Sequence, residues 1–275
     1  LAAAGWPVVL LEHPGSDAAA VQALLEGRES FDGARALQDR QQDLEAVLSA
    51  QAQQRIPIQG ERVVLAGHSM GALTALVSSG HSPQSGMDQR CQKALGDLPL
   101  TNLSRLLQCE LVERGVLRSR SVPVSPAAVV GLNSLGSVIW PVGSTDPSPT
   151  PLLLIGGTLD LITPPLDEQI GLLASLAQHP YSRVVVIEGA SHFSPIRVGD
   201  TQVGTREDDL FQLGEDLVGV NPRRAQRIIA DEIVVFLSGL SAKSSAPVDE
   251  HWCDRGLRWH RLTIEGARTL YRRYQ

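Results

Sequence analysis

The 275-residue sequence contains no apolar run approaching the ~20 residues that a helix needs to cross a bilayer, so no integral membrane segment is expected. It also lacks a charged stretch leading into an apolar one, the pattern of an export signal. The chain opens on Leu1 rather than Met, and residues 1–5 read as the last turn of a helix closed by glycine. A basic excess is missing too. Lys and Arg number 24 against 30 Asp and Glu, a formal net charge of −6, and they are scattered until the C-terminal tail. That balance argues against nucleic acid as a partner. Cysteine is scarce: Cys91, Cys109 and Cys253 match no zinc spacing, and no histidine pair has ligand-like spacing, so no metal is expected. The three thiols are expected to be reduced and partly buried. Cys91 and Cys109 share one segment and would pair in an exported protein, leaving Cys253 as the odd thiol. The cytoplasm is the favoured compartment, with export the alternative. No internal repeat is present.

What is present is ordinary globular composition, 43% hydrophobic and 20% charged, in a chain long enough for one large domain. Short runs rich in Val, Leu and Ile at residues 8–11, 63–66, 129–132, 152–155 and 184–187 read as strands buried on both faces. Helical patterns fall between and after them, at residues 18–25, 37–53, 71–78, 166–177 and 223–240. Alternating strands and helices predict an α/β fold with a doubly wound, mostly parallel sheet. Residues 1–240 form the expected core. Within it, residues 81–126 form a helical insert or cap, with helices near 89–95 and 103–114. Residues 193–221 and the Pro-rich 141–151 are expected loops. A Ser/Ala/Pro linker at 241–247 leads to a tail with Trp252, Trp259, Tyr271 and Tyr274, expected as a helix docked by its aromatics with Arg facing water.

Val63-Val64-Leu65-Ala66-Gly67-His68-Ser69-Met70-Gly71 places Gly-x-Ser-x-Gly after an apolar strand and before a helix. A sharp strand-to-helix turn holds such a serine in a strained conformation with its hydroxyl above the sheet. Gly67 and Gly71 are expected to leave room where side chains would collide. The N-terminus of the helix offers free N–H groups, that of Met70 first, to a developing oxyanion.

An acid and a base are then required on loops after later strands, in that chain order. Residues 152–160 end a buried run with Gly156-Gly157-Thr158-Leu159-Asp160, which makes Asp160 the candidate acid. The preceding strand carries Asn133, a neutral amide that cannot stabilise an imidazolium, and Asp146 in the Pro-rich loop is the weaker alternative. Glu188-Gly189-Ala190-Ser191-His192-Phe193 ends the last run and makes His192 the candidate base. His13, His68 and Phe193 are candidate substrate-binding residues, with His68 expected to point away from the Ser69 hydroxyl. The remaining histidines lie in loops or the tail.

These segments resemble the α/β-hydrolase superfamily and, more narrowly, the bacterial predicted dienelactone hydrolases, which are similar to platelet-activating-factor acetylhydrolases and cutinase-like esterases. His13-Pro14-Gly15-Ser16, the helix from Asp39 to Val47 and the insert with Cys91, Cys109 and residues 103–107 carry the narrower resemblance. It implies a serine esterase acting on a small-molecule ester through an acyl-enzyme, with no cofactor. It also implies strands ahead of residue 8, one of them lying between the runs at 8–11 and 63–66 and followed by a turn supplying the second oxyanion N–H. On that basis the chain is expected to be an N-terminally truncated form. The leucines of the insert (Leu95, Leu98, Leu103, Leu106, Leu107) are expected to give a cap with an apolar underside. An acyltransferase on the same residues, and a non-catalytic hydrolase-like binding protein or inactive fragment, are the alternatives.

Overall fold

The computed structural model describes residues 1–15, 27–28, 30–57, 60, 62–96, 102–118, 124–143, 148–196, 220–242 and 247–274. Its centre is a six-stranded sheet. β1 (Val64–His68), β2 (Ala128–Leu132), β3 (Leu152–Gly157) and β4 (Arg183–Ile187) run parallel in that order, and β6 (Leu257–Thr263) and β5 (Glu250–Asp254) complete it antiparallel. β2, β3 and β4 are buried along nearly all their length because both faces are covered, whereas β1, expected to be buried on both faces as well, buries Leu65 and leaves Ala66 exposed. Leu65, Val129, Leu154 and Val186 pack with α1 (Gly33–Ala52), α2 (Met70–Ser78), α4 (Ser104–Glu113), α5 (Gly171–Leu176) and α7 (Ile264–Tyr274). Val130, Leu153, Ile155, Val185 and Ile187 pack with Ile229, Ile233 and Phe236 of α6 (Pro222–Ala242). The chain therefore has the doubly wound, mostly parallel architecture that its sequence predicts.

Several expectations are corrected. Residues 8–11 form no strand: Val8 and Val9 are exposed, and Leu10 is 90% exposed. A strand buried on both faces needs a ladder partner, and here a cavity of about 600 Å³ lies between this segment and β1. Pro7, Val9, Leu10, Leu11 and His13 form one wall, and residues 62–68 form another. Among the described residues β1 pairs with β2 alone.

The tail is not a single docked helix. Arg255 and Gly256, at φ +47° and +82°, make a two-residue turn between β5 and β6, and β6 extends the sheet from β4. Trp252 and Trp259 stack across the hairpin with ring centres 5.6 Å apart, Arg261 lies over Trp252, and α7 follows.

The expected reduced thiols are likewise overturned for two of the three. Cys91 of α3 (Met87–Gly96) and Cys109 of α4 form a disulfide, and Cys253 is free and exposed. The insert leucines do not form one apolar underside. Leu107 and Leu111, four residues apart on α4, face the core, which turns Leu106 outward, while Leu103, just ahead of the helix, and Leu95 are exposed as well. Leu98, the helix expected at 18–25, Asp146 and residues 197–219 of the long loop lie outside the described residues.

Candidate active site

Ser69 follows β1 directly and caps α2 with φ +53° and ψ −119°, a positive φ that non-glycine residues rarely adopt. Its N–H donates to the Leu132 carbonyl at the end of β2, and its own carbonyl accepts from Ala72 and Leu73. A Cβ on Gly67 would stand 2.2 Å from the Gly71 backbone, so the turn closes only over glycine at 67. Gly71 differs from expectation: a Cβ there would meet nothing within 4 Å. Met70 is the first residue of α2, where a backbone N–H has no intrahelical acceptor.

Asp160 lies just past β3, and His192 lies five residues past β4. The two loops are stitched together. Thr158 N–H donates to Ile187 O, Leu159 N–H to Ala190 O, and Gly189 N–H to the Thr158 hydroxyl. A Cβ on Gly157 would come within 2.1 Å of Ala190 O, so this close approach requires glycine. Gly189, at φ +77°, turns the chain into the segment bearing His192.

The result is a line of three groups. His192 Nε2 lies 3.0 Å from Ser69 Oγ, and His192 Nδ1 lies 2.9 Å from Asp160 Oδ2. Asp160 is 1% exposed and meets four further donors: Ile162 and Thr163 N–H on Oδ1, and Thr163 Oγ1 and Asn133 Nδ2 on Oδ2. Burial alone would raise the Asp160 carboxyl. His192 and the Thr163 donors outweigh it and hold the group below the usual carboxylate range.

His68 is engaged by the loop that bears His192. Its Nε2 lies 2.7 Å from the His192 carbonyl and its ring centre 4.8 Å from that of His192. A carbonyl only accepts, so Nε2 carries the proton. Burial first, then the neighbouring His192, push His68 down to about 4 against the opposing effects of that hydrogen bond and Asp160. His68 is thus a neutral strut under the His192 loop, a role its place in the motif did not announce. The sign of the linkage follows. Between pH 6.5 and about 4 the unfolded chain binds a proton at His68 that the folded one does not, so stability falls as pH is lowered through that window. A loss of about 3 kcal/mol is expected from this group, and His68→Gln should remove it from urea-unfolding curves taken across that pH range.

His13 is brought to the cavity beside β1, where its Nδ1 lies 2.8 Å from Asp43 Oδ2, and not to Ser69. Phe193 sets its ring edge-on to His192 at 5.2 Å.

Sequence reasoning missed the support beneath the site. A π-helical turn (Leu166–Ile170) precedes α5 and carries Glu168 and Gln169, both fully buried. Glu168 accepts from Asn102, Ser104 and Gln108 of the insert, from the Ser137 hydroxyl, and from Gly136 and Ser137 N–H. Gln169 bonds Ser134 N–H and carbonyl. The insert, the loop after β2 and the segment after Asp160 therefore meet on one carboxylate. Only a longer-than-usual run of polar residues inside a core helix hinted at it. Among the described residues no cluster of three potential metal ligands occurs, and no helix is long and apolar enough to cross a membrane.

No curated protein matches the chain. A family model does: residues 1–200 match that of the alpha/beta hydrolase family. With the parallel sheet, the turn at Ser69 and the loops after β3 and β4 all in place, the chain belongs to the alpha/beta hydrolase family.

Proposed function

We propose that the chain is a serine hydrolase that cleaves carboxylic esters through an acyl-enzyme on Ser69, like the dienelactone-hydrolase-type serine esterases its motifs resemble. The observation that carries this reading is the unbroken hydrogen-bonded line from Ser69 Oγ through His192 to Asp160. His192 Nε2 takes the hydroxyl proton as Ser69 attacks the ester carbonyl, and Asp160 stabilises the imidazolium that forms. The Met70 N–H is one donor to the oxyanion. One such donor is worth about 10² to 10³ in rate. His192 then protonates the leaving alcohol, and water repeats the cycle on the acyl-enzyme. No cofactor enters these steps. Leu159 and Leu161 flank Asp160 and are exposed, and Leu103 N–H bonds the Leu161 carbonyl, so an apolar wall adjoins the site. It favours an ester with an apolar acyl or alcohol part.

The test is covalent labelling with a fluorophosphonate, mapped by mass spectrometry, alongside hydrolysis of p-nitrophenyl esters. Labelling at Ser69 that is lost in Ser69→Ala, with acid released to water, supports the reading. Ester product formed only with an added alcohol or thiol would make the chain an acyltransferase. Absence of both labelling and turnover overturns the catalytic reading in favour of a binding protein.

A further inference from the structure

Asn133 is a buried side chain that touches the Ser69–His192–Asp160 line from outside the loops bearing Asp160 and His192, and the steps above leave it without a role. It ends β2, is 1% exposed, and holds φ at +47°, in the left-handed region. Its N–H donates to Ile155 O at 2.7 Å, and its carbonyl lies 3.2 Å from the Thr163 hydroxyl, which donates to Asp160 Oδ2 at 2.6 Å. Glycine takes this conformation without strain, and asparagine is among the side chains that tolerate it best. Over glycine, asparagine adds a side-chain amide, and its NH2 reaches Asp160 Oδ2 at 2.5 Å, the same oxygen that faces His192 Nδ1.

We propose that Asn133 is a positioning residue whose side-chain amide anchors Asp160 Oδ2 to the end of β2, so that this oxygen stays aimed at His192 Nδ1. The left-handed backbone points the amide at that oxygen. Thr163 clamps the carboxylate from its own loop; Asn133 is the clamp from a neighbouring strand, and it fixes the acid relative to the turn that carries Ser69, whose N–H bonds the adjacent Leu132 carbonyl. The inference rests on the serine-hydrolase reading. The titratable groups facing Asp160 are His192 and His68.

Two variants separate donor from turn. Asn133→Gly keeps the backbone and deletes the donor. It is expected to lower kcat about 10- to 100-fold, the usual loss for a hydrogen bond to a charged group, with KM unchanged. The acid limb of kcat/KM is expected to move to higher pH, because the less dispersed carboxylate charge favours the imidazolium. Asn133→Asp keeps the shape. While the new carboxyl holds a proton it donates as the amide does, and activity is expected to stay near that of the wild type. As the pair loses its shared proton the donor becomes a repelling charge, and an alkaline limb absent from the wild type is expected. The low-field proton resonance of His192 Nδ1–H, read without substrate, is expected to shift in Asn133→Gly. A folded Asn133→Gly with wild-type kcat, pH profile and resonance overturns the proposal. So does an Asn133→Asp profile parallel to wild type, which serves if Asn133→Gly does not fold. A wild-type chain that neither labels at Ser69 nor turns over esters sinks the hydrolase reading itself, a result distinct from these.

Discussion

Replacement of His192 by alanine is expected to lower kcat/KM for ester hydrolysis by about 10⁴ to 10⁶, the loss seen when the base of a serine, histidine and carboxylate unit is removed. The size follows from geometry. Ser69 Oγ has His192 Nε2 at 3.0 Å as the group placed to take its proton, and without it the hydroxyl attacks at its own high pKa. The variant should nonetheless fold. Asp160 keeps its bonds from Asn133, Ile162 and Thr163, so no buried charge is stranded. The His68 bond goes to the main-chain carbonyl of residue 192 and survives the substitution. The vacated ring volume lies next to Ser69, so added imidazole is expected to restore part of the rate. Stopped-flow or steady-state assays with and without imidazole, paired with a thermal melt, check all three points. A variant within tenfold of wild type would remove His192 from the mechanism.

The parallel half of the fold was legible because burial on both faces leaves a local mark: four consecutive apolar positions at 129–132 or 184–187 have few other uses in a chain this size. The run at 8–11 carries the same mark and is no strand, since hydrophobicity reports burial potential while a strand needs a partner edge, which local sequence does not encode. The hairpin in the tail was missed although Arg255-Gly256 is a workable two-residue turn; Trp and Arg at mixed spacings masked the alternation that Trp252, Trp259 and Arg261 display once paired. Cys91 and Cys109 stand 18 residues apart, and only the packing of α3 on α4 brings their Cα atoms to 5.4 Å. At the site, Ser69, Asp160 and His192 were readable because each sits at a fixed offset from a buried run. His68, Asn133 and Glu168 were not. Each acts on a residue more than 25 positions away, through a contact that exists only after the loops have met.

Asp160→Asn is expected to lower kcat by about 10³ to 10⁴ and to destabilise the chain as well, unlike the His192 variant. In the wild type both carboxylate oxygens are acceptors only: Oδ1 receives two backbone N–H groups, Oδ2 receives Asn133 Nδ2, Thr163 Oγ1 and His192 Nδ1–H. An amide presents one oxygen and one NH2. Turned one way, its NH2 confronts the Ile162 and Thr163 N–H groups; turned the other, it confronts Asn133 and forces His192 to give up the Nδ1–H tautomer that leaves Nε2 free to accept from Ser69. Either orientation strands buried donors, at about 3 kcal/mol. The pH dependence separates charge from shape. The folded Asp160 carboxyl is held below its usual value near 3.8, so its ionised form contributes stability above that value, and the contribution is lost as pH falls through the depressed one. On a His68→Gln background, which removes the one titration that the Asp160 charge itself biases, the stability gap between the chains with Asp160 and with Asp160→Asn is therefore expected to be constant from pH 5 to 8 and to narrow below about 4. Urea unfolding of the two chains from pH 3 to 8 reads this directly; a gap that widens in acid would mean that Asp160 is already protonated in the folded protein and is not the partner that orients His192.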